Sequence, residues 1–328
     1  MGLVNALLWA ALWVGCCLAE EEQWTRVSSE VIDSSEYGQH AGVKGTNCSC
    51  GWTNKGRIVG GRDAEVNEYP YMAALVMVYA NTKPSVFCGC TIVTQYHAVT
   101  AAHCTDQTHN LAIVVGEHDL SEDKESRYTQ MYLVDDVIPH EMYDSEVSTH
   151  DIALLVTSRR MVFNTAVGPA CMPTHRIDLT HKYVKVTGWG ALEFEGSSPE
   201  KLQKVSLRVV PLEECAKKYP EVIDTSRPTH ICTLTPKKDA CQGDSGGPVV
   251  WLDPDTNRYT LVGVVSFGME CATDYPGVST DVGSHSDWLQ YHIHSKQKTP
   301  NLKPSSAVLS SSCRHCDNEP KPVRTDEL

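Results

Sequence analysis

Cations are in short supply in this sequence. Its 328 residues hold 28 Lys and Arg against 41 Asp and Glu, a formal net charge of −13. Binding nucleic acid through phosphates needs clustered cations, so that class is excluded. Long apolar runs are also scarce. Only residues 2–19, GLVNALLWAALWVGCCLA, stay uncharged for long enough to reach across a bilayer, and no basic segment precedes them. Helical patterning is sparse, and no internal repeat stands out. Hydrophobic residues at 41% and charged residues at 21% are values of a globular chain, so wholesale disorder is excluded too. Cysteine, by contrast, is abundant. Fourteen of them are too many for a reducing compartment, and either metal sites or disulfides must account for them.

The ends differ in composition from the middle. Ala19 closes the apolar run just before Glu20, Glu21 and Glu22, and a small residue there reads as a signal-peptidase site. Residues 1–19 are therefore predicted to be a cleaved signal, the alternative being a retained anchor. A signal implies a secreted, extracellular protein, not one held in a membrane, that folds where disulfides form. Residues 297–328 carry Pro300, Pro304, Pro320, Pro322 and the serines Ser310–Ser312, with few apolar side chains to offset the entropy of ordering. They are predicted to be a flexible tail. Cys313 and Cys316 within it read as disulfide partners, local or long-range, before metal ligands. The closing Thr-Asp-Glu-Leu approximates a retrieval signal with Thr in place of the usual Lys or His, and reads as coincidence.

Between the ends lie short runs rich in Val, Ile, Thr and Tyr, broken by Gly, Pro and Asn. Tyr69–Ala80, Ala112–Val115, Tyr183–Thr187, Lys204–Val210 and Tyr259–Phe267 have the composition of strands. Asp253-Pro254-Asp255-Thr256-Asn257 between two such runs predicts a hairpin loop. Helical signal is confined mainly to the end of this region, where Ser284 can cap a segment placing Leu289 and Ile293 on one face. The body is predicted to be all-β, closed by one C-terminal helix.

Gly243-Asp244-Ser245-Gly246-Gly247-Pro248 is the sharpest local signal. A serine hydroxyl is a weak nucleophile until a base takes its proton. Flanking glycines let the backbone turn sharply and aim N–H groups at a developing oxyanion. Thr100-Ala101-Ala102-His103-Cys104 upstream offers the base. His150-Asp151 opens the apolar run through Leu155, and an aspartate there can be buried and fix an imidazole's tautomer. Singly, each motif could be a core histidine, a capping aspartate or a tight turn. Together, in the order His103, Asp151, Ser245, they read as a catalytic constellation.

With these motifs, and with Thr187-Gly188-Trp189-Gly190, the chain resembles the chymotrypsin/trypsin-like serine peptidases over residues 57–296. The resemblance implies two six-stranded antiparallel β-barrels packed together, with a C-terminal helix and the active site between the barrels. It implies that His103 is general base and then acid, Asp151 its orienter and Ser245 the nucleophile, with the N–H groups of Gly243 and Ser245 as the oxyanion hole. Arg57-Ile58-Val59-Gly60-Gly61 matches the family's activation junction. Cleavage after Arg57 would free the Ile58 amino group to pair with Asp244 and order the oxyanion loop. Residues 20–57 would be an activation peptide, too short for a separate disulfide-knotted module, and 58–296 the peptidase domain. Asp239, six residues before Ser245, matches the floor of a trypsin-like specificity pocket. A carboxylate there selects Lys or Arg by a charge-assisted contact. Gly268 and Gly277 match the pocket walls, and Ser266-Phe267-Gly268 the strand that pairs with substrate. Implied partners are protein or peptide substrates bearing Arg or Lys, an activating protease and protein inhibitors of proteases. No cofactor is expected.

The implied disulfides are Cys88–Cys104, Cys215–Cys232, Cys241–Cys271 and Cys50–Cys171, the last tethering the activation peptide. A further family bridge is missing, with Val184 and Trp251 in its places. Cys48, Cys90, Cys313 and Cys316 remain, with three possible connectivities, of which Cys48–Cys90 with Cys313–Cys316 is preferred. Glu270 stands at the pocket mouth where trypsins commonly carry Gly, and either favours cations or narrows access. Ser279 replaces a common Tyr at the pocket base, leaving room for water. Asn47-Cys48-Ser49 is the one glycosylation sequon. The stretch from Gly116 to Ser126 resembles a trypsin calcium loop, but Arg127 falls near the second expected carboxylate, so no calcium site is assigned. His292 and His294 do not share a helix face, and no zinc site is assigned either. The run NCSCGW, followed by RIVGG, looks most like arthropod secreted peptidases, including venom serine proteases. A haemolymph cascade or digestive protease is the alternative. A non-catalytic homologue acting as a binding cofactor is the alternative of a different class.

Overall fold

The computed structural model describes residues 49–54, 63–79, 84–106, 110–122, 126–193, 196–236, 238–269, 271 and 273–295. The predicted signal (1–19), most of the predicted activation peptide, the 57–58 junction, Asn47, Cys48, Glu270, Cys313, Cys316 and the predicted tail lie outside these residues.

Two sets of strands form among them. The first comprises β1 (Met72–Met77), β2 (Ser85–Ile92), β3 (His97–Thr100), β4 (Leu111–Val115), β5 (Gln130–Pro139) and β6 (Ala153–Thr157). They close into a barrel in the order β1-β2-β3-β6-β5-β4. The second comprises β7 (Tyr183–Gly188), β8 (Gln203–Val210), β9 (His230–Thr233), β10 (Pro248–Asp253), β11 (Arg258–Phe267) and β12 (Gly277–Asp281), closed in the order β10-β11-β12-β9-β8-β7. The pairings are antiparallel, as short strands joined by tight turns require. The fold is therefore the expected pair of six-stranded antiparallel barrels, and closure leaves no free sheet edge.

Apolar packing holds each barrel together. Leu75, Ile92, Ile113, Leu154 and Leu155 are fully buried in the first, and Val184, Val186, Leu207, Ile231, Val249 and Val262 line the second. Each large aliphatic side chain removed from water contributes about 1.5–3 kcal/mol. Five strands coincide with the apolar runs read from sequence. Asp253–Asn257 makes the expected hairpin: Asp253 accepts from the Asp255 amide at 2.9 Å and from the Thr256 hydroxyl at 2.7 Å, and Asn257 adopts φ 55°.

The helical parts depart from expectation in two ways. The C-terminal helix α2 (Ser286–Ser295) follows a 3₁₀ turn at Gly283–His285, and Leu289 and Ile293 are its buried face. Its cap is not Ser284. The Asp281 carboxylate accepts from the Ser284 amide at 2.9 Å, and the Ser284 hydroxyl turns away to the Pro228 carbonyl. A second helix, α1 (Leu212–Lys218), was not anticipated. Glu213 and Glu214 in its first turn and Lys217 and Lys218 in its last complement its dipole, and Cys215 anchors it in the core.

Candidate active site

His103 sits on a 3₁₀ turn, Ala102–Cys104, that follows β3, and Asp151 lies two residues before the start of β6. β3 and β6 are paired from His97↔Val156 to Thr100↔Ala153, so the ladder carries both residues to the same end of the barrel. Asp151 is 1% exposed, whereas His103 is 34% exposed. The His103 amide donates to Asp151 Oδ1 at 2.9 Å, and Nδ1 of the ring lies 2.7 Å from Oδ2. Facing a carboxylate, that nitrogen must carry the proton, which leaves Nε2 with the lone pair. The Ser266 hydroxyl also donates to Oδ2, and the Thr280 hydroxyl donates to the Asp151 carbonyl at 2.8 Å. Both come from the second barrel, so the pair sits on the seam.

Their ionisation follows from these contacts. Burial pushes the Asp151 carboxyl up, but the His103 bond and charge and the Ser266 bond outweigh it and hold it below the usual carboxylate range. Burial pushes His103 down, and the Asp151 hydrogen bond and charge raise it above the ordinary histidine value. The arrangement keeps a negative charge ready to stabilise an imidazolium.

The turn Cys241–Gly247 places Ser245 on the same seam. The Gly89 amide donates to the Ser245 carbonyl, and the Gly246 amide to the Val265 carbonyl, each at 2.8 Å. Gly246 has φ +75°, and a side chain there would collide with Thr100 Oγ1 and the Gly89 carbonyl, just upstream of His103. Gly243 has φ +97°, which glycine alone adopts at little cost. Neither the Gly243 nor the Ser245 amide donates to an acceptor among the described residues, so both stay available to a ligand. No hydrogen bond joins the Ser245 hydroxyl to His103; Nε2 of the ring lies 3.7 Å from Cys104 Sγ. Such contacts are often loose without substrate.

Asp244 points the other way. Its carboxylate accepts from the Gly190 and Cys241 amides, each at 2.9 Å, and rests directly on Gly188 and Gly190, where any side chain would displace it. This close approach is what the Thr187–Gly190 motif provides. Among the described residues no cation pairs with it. Burial pushes its pKa up to about 6, and the two amides only partly counter this. Arg57 and Ile58 lie outside the described residues.

The residues predicted to set specificity lie close together. Asp239 Oδ1 accepts from the Ala240 amide at 2.9 Å and lies against Gly277, where a Cβ would come within 2.7 Å of that oxygen. A Cβ at Gly268 would already touch the Gly277 Cα, at 3.8 Å, so the two glycines face each other closely enough that side chains there would fill the gap. Ser266 is the extra residue where the β11–β12 register slips between Val265 and Phe267. Its side chain thus serves Asp151, a contact that sequence reading did not anticipate. Tyr219, also missed, packs edge-on against Phe267 with ring centroids 5.5 Å apart. Its hydroxyl donates to the Pro276 carbonyl at 3.0 Å and accepts from the Met269 amide at 3.3 Å. Nothing in the sequence around the end of α1 singles it out.

Disulfides join Cys50–Cys171, Cys88–Cys104, Cys215–Cys232 and Cys241–Cys271. The second braces His103, and the fourth the turn that carries Ser245. The preferred Cys48–Cys90 bridge is corrected: Cys90 is a free thiol, fully buried on β2 beside Ala73 of β1. Burial also pushes that thiol far up, so it stays protonated and unreactive.

Comparison with known proteins decides the family. Residues 58–289 match the family model described as Trypsin. The chain belongs to the trypsin family. Among relatives of this trypsin-family chain, Venom serine protease 34 of Apis mellifera is 42% identical over 252 residues, covering 74% of this chain and 60% of that protein. Venom serine protease of Polistes dominula is 39% identical over 250 residues, 74% of this chain and 87% of its own. Trypsin-1 of Astacus astacus is 37% identical over 243 residues, 71% of this chain and 98% of its own. The trypsin-family chain thus spans 60% of the Apis mellifera protein, less than two thirds, and most of the other two.

Proposed function

We propose that this chain is a secreted serine endopeptidase, made as a zymogen, that cleaves after Arg or Lys through an acyl-enzyme. The observation that carries the reading is the Nδ1–Oδ2 contact of 2.7 Å between His103 and a buried Asp151, beside a glycine-framed turn presenting Ser245. His103 Nε2 takes the Ser245 proton as Oγ attacks the scissile carbonyl carbon. The Gly243 and Ser245 amides receive the oxyanion, and Asp151 stabilises the imidazolium. His103 then protonates the leaving amine, and water hydrolyses the ester by the reverse proton route. Asp239 between Gly268 and Gly277 favours a long cationic side chain, which its carboxylate can meet in a charge-assisted contact.

Residues 1–19 act as signal and 20–57 as activation peptide, ahead of a peptidase domain at 58–296 and a tail at 297–328. Asn47 is the candidate glycan site. An activating protease cuts after Arg57, and protein inhibitors of proteases are the natural regulators. The disulfides and the names of two relatives, venom serine proteases, support release into an extracellular fluid. Cleavage-site profiling on a peptide library tests the specificity. The expected result is Arg or Lys before the cut, lost in Asp239→Ser; apolar residues before the cut would remove the role given to Asp239.

A further inference from the structure

Three histidine side chains converge behind Asp151. His140 follows the last residue of β5, His150 directly precedes Asp151, and His285 ends the 3₁₀ turn before α2. His140 and His285 are buried, while His150 is partly open to solvent. One ring nitrogen from each lies within 4.8 Å of the others. Nδ1 of His150 is 2.9 Å from Nε2 of His285. The ring centroids are 4.7 Å apart for His140–His150, which stack with their planes 9° from parallel, so one of these two rings must turn before both in-plane lone pairs meet at one ion, and 5.2 Å apart for both His140–His285 and His150–His285. Three imidazoles sharing one tetrahedral ion, with metal–nitrogen bonds of about 2.0–2.1 Å, set their ring nitrogens roughly 3.4 Å apart and their centroids about 5 Å apart.

The surroundings suit a ligand set. His285 Nδ1 donates to the Asp281 carbonyl at 2.7 Å, which fixes the tautomer that leaves Nε2 with its lone pair, the usual outer-shell arrangement of a metal-binding histidine. Trp288 packs on the His140 ring with centroids 4.9 Å apart, walling that side with an apolar surface. His150 Nδ1 and His285 Nε2 share one hydrogen in the free protein. An ion replaces that hydrogen bond as the His150 proton moves to its other nitrogen. His140 Nδ1 accepts only a long 3.2 Å bond from the Met142 amide, little to give up for a metal bond. Sequence reading assigned no metal ligands here, because His285 lies far along the chain from His140 and His150 and only the barrel seam unites them.

We propose that His140, His150 and His285 bind one zinc-class divalent ion, with a water completing the shell through the exposed side at His150. This reading does not depend on peptidase activity. Because His150 and Asp151 are consecutive, an ion drawing on the imidazole also bears on the carboxylate that holds His103.

The test is titration of the chelator-stripped full chain with cobalt(II), followed by displacement with zinc. The expected result is one ion per chain with the visible absorption of tetrahedral cobalt. Binding should be weakened at least roughly tenfold in both His140→Gln and His285→Gln and retained in His292→Gln. Two single variants guard against one failing to fold. No stoichiometric cobalt binding, or binding unchanged in either folded variant, would overturn the site. If the ion binds as expected but zinc leaves peptide hydrolysis by the processed chain unchanged, the link to Asp151 is overturned.

Discussion

The Ser266 hydroxyl donates to Asp151 Oδ2, the same oxygen that lies 2.7 Å from His103 Nδ1. The carboxylate is thus held by one side chain from each barrel, and its position depends on how the barrels meet. A hydrogen bond to a charged group is worth about 1.5–3 kcal/mol. Ser266→Ala should lower kcat about tenfold with little change in KM, the mark of an interaction needed in the transition state. Steady-state kinetics check this, and a change confined to KM would contradict it.

The pH dependence follows from the raised His103 value. The base must be neutral, so kcat/KM should fall as pH drops through a pKa above the ordinary 6.5. In Asp151→Asn the upward pull disappears while the burial that lowers His103 remains. The acid limb should move to lower pH, and kcat should fall by roughly four orders of magnitude. A pH–rate profile of both proteins decides the matter, and an unmoved limb would contradict the assignment.

Asp244 makes stability depend on pH in the opposite sense to an ordinary ion-paired aspartate. Its folded value of about 6 lies above the unfolded 3.8, so the uncleaved chain should keep that contribution below about pH 4 and lose it as pH rises towards 6. The gap of about two units is a cost of about 3 kcal/mol at neutral pH. Asp244→Asn removes the dependence, and so should pairing with a new Ile58 amino group after cleavage. Thermal unfolding of the Ser245→Ala chain between pH 4 and 7.5, cut and uncut, with and without Asp244→Asn, measures it. Equal pH slopes for the uncut pair would refute the point.

Much of this architecture was legible in the sequence, and the failures share a cause. Strands were readable because β-branched runs and turn residues act locally, as at Tyr183–Gly188 and the Asp253 hairpin. The triad candidates were readable because each sits in a motif set by backbone geometry, such as the positive φ of Gly243 and Gly246. What depended on packing was not legible. Ser266 reaches Asp151 across the seam through a bulge, Tyr219 at the end of a short helix ties the Pro276 and Met269 backbones together, and the Ser284 hydroxyl goes to the Pro228 carbonyl while its amide goes to the Asp281 carboxylate. The Cys90 thiol failed as a disulfide partner for the same reason: counting cysteines says nothing of which are enclosed.

The Cys50–Cys171 bridge connects residues on opposite sides of Arg57, across a sequence separation of 121. After cleavage the activation peptide should remain attached. The processed chain should run as one band on a non-reducing gel and release a short fragment on reduction, while Arg57→Gln should stay uncut and inactive. Loss of the fragment without reductant, or full activity of the uncut variant, would contradict this.

The central claim is that His103, steadied by Asp151, activates Ser245. Its most direct measurement is labelling of the processed chain with an active-site phosphonate, followed by mass spectrometry of the modified peptide. The account requires one adduct per chain, on Ser245, lost in His103→Ala and absent from uncut Arg57→Gln. A processed, folded chain that takes up no label, or an adduct that persists undiminished in His103→Ala, would contradict it.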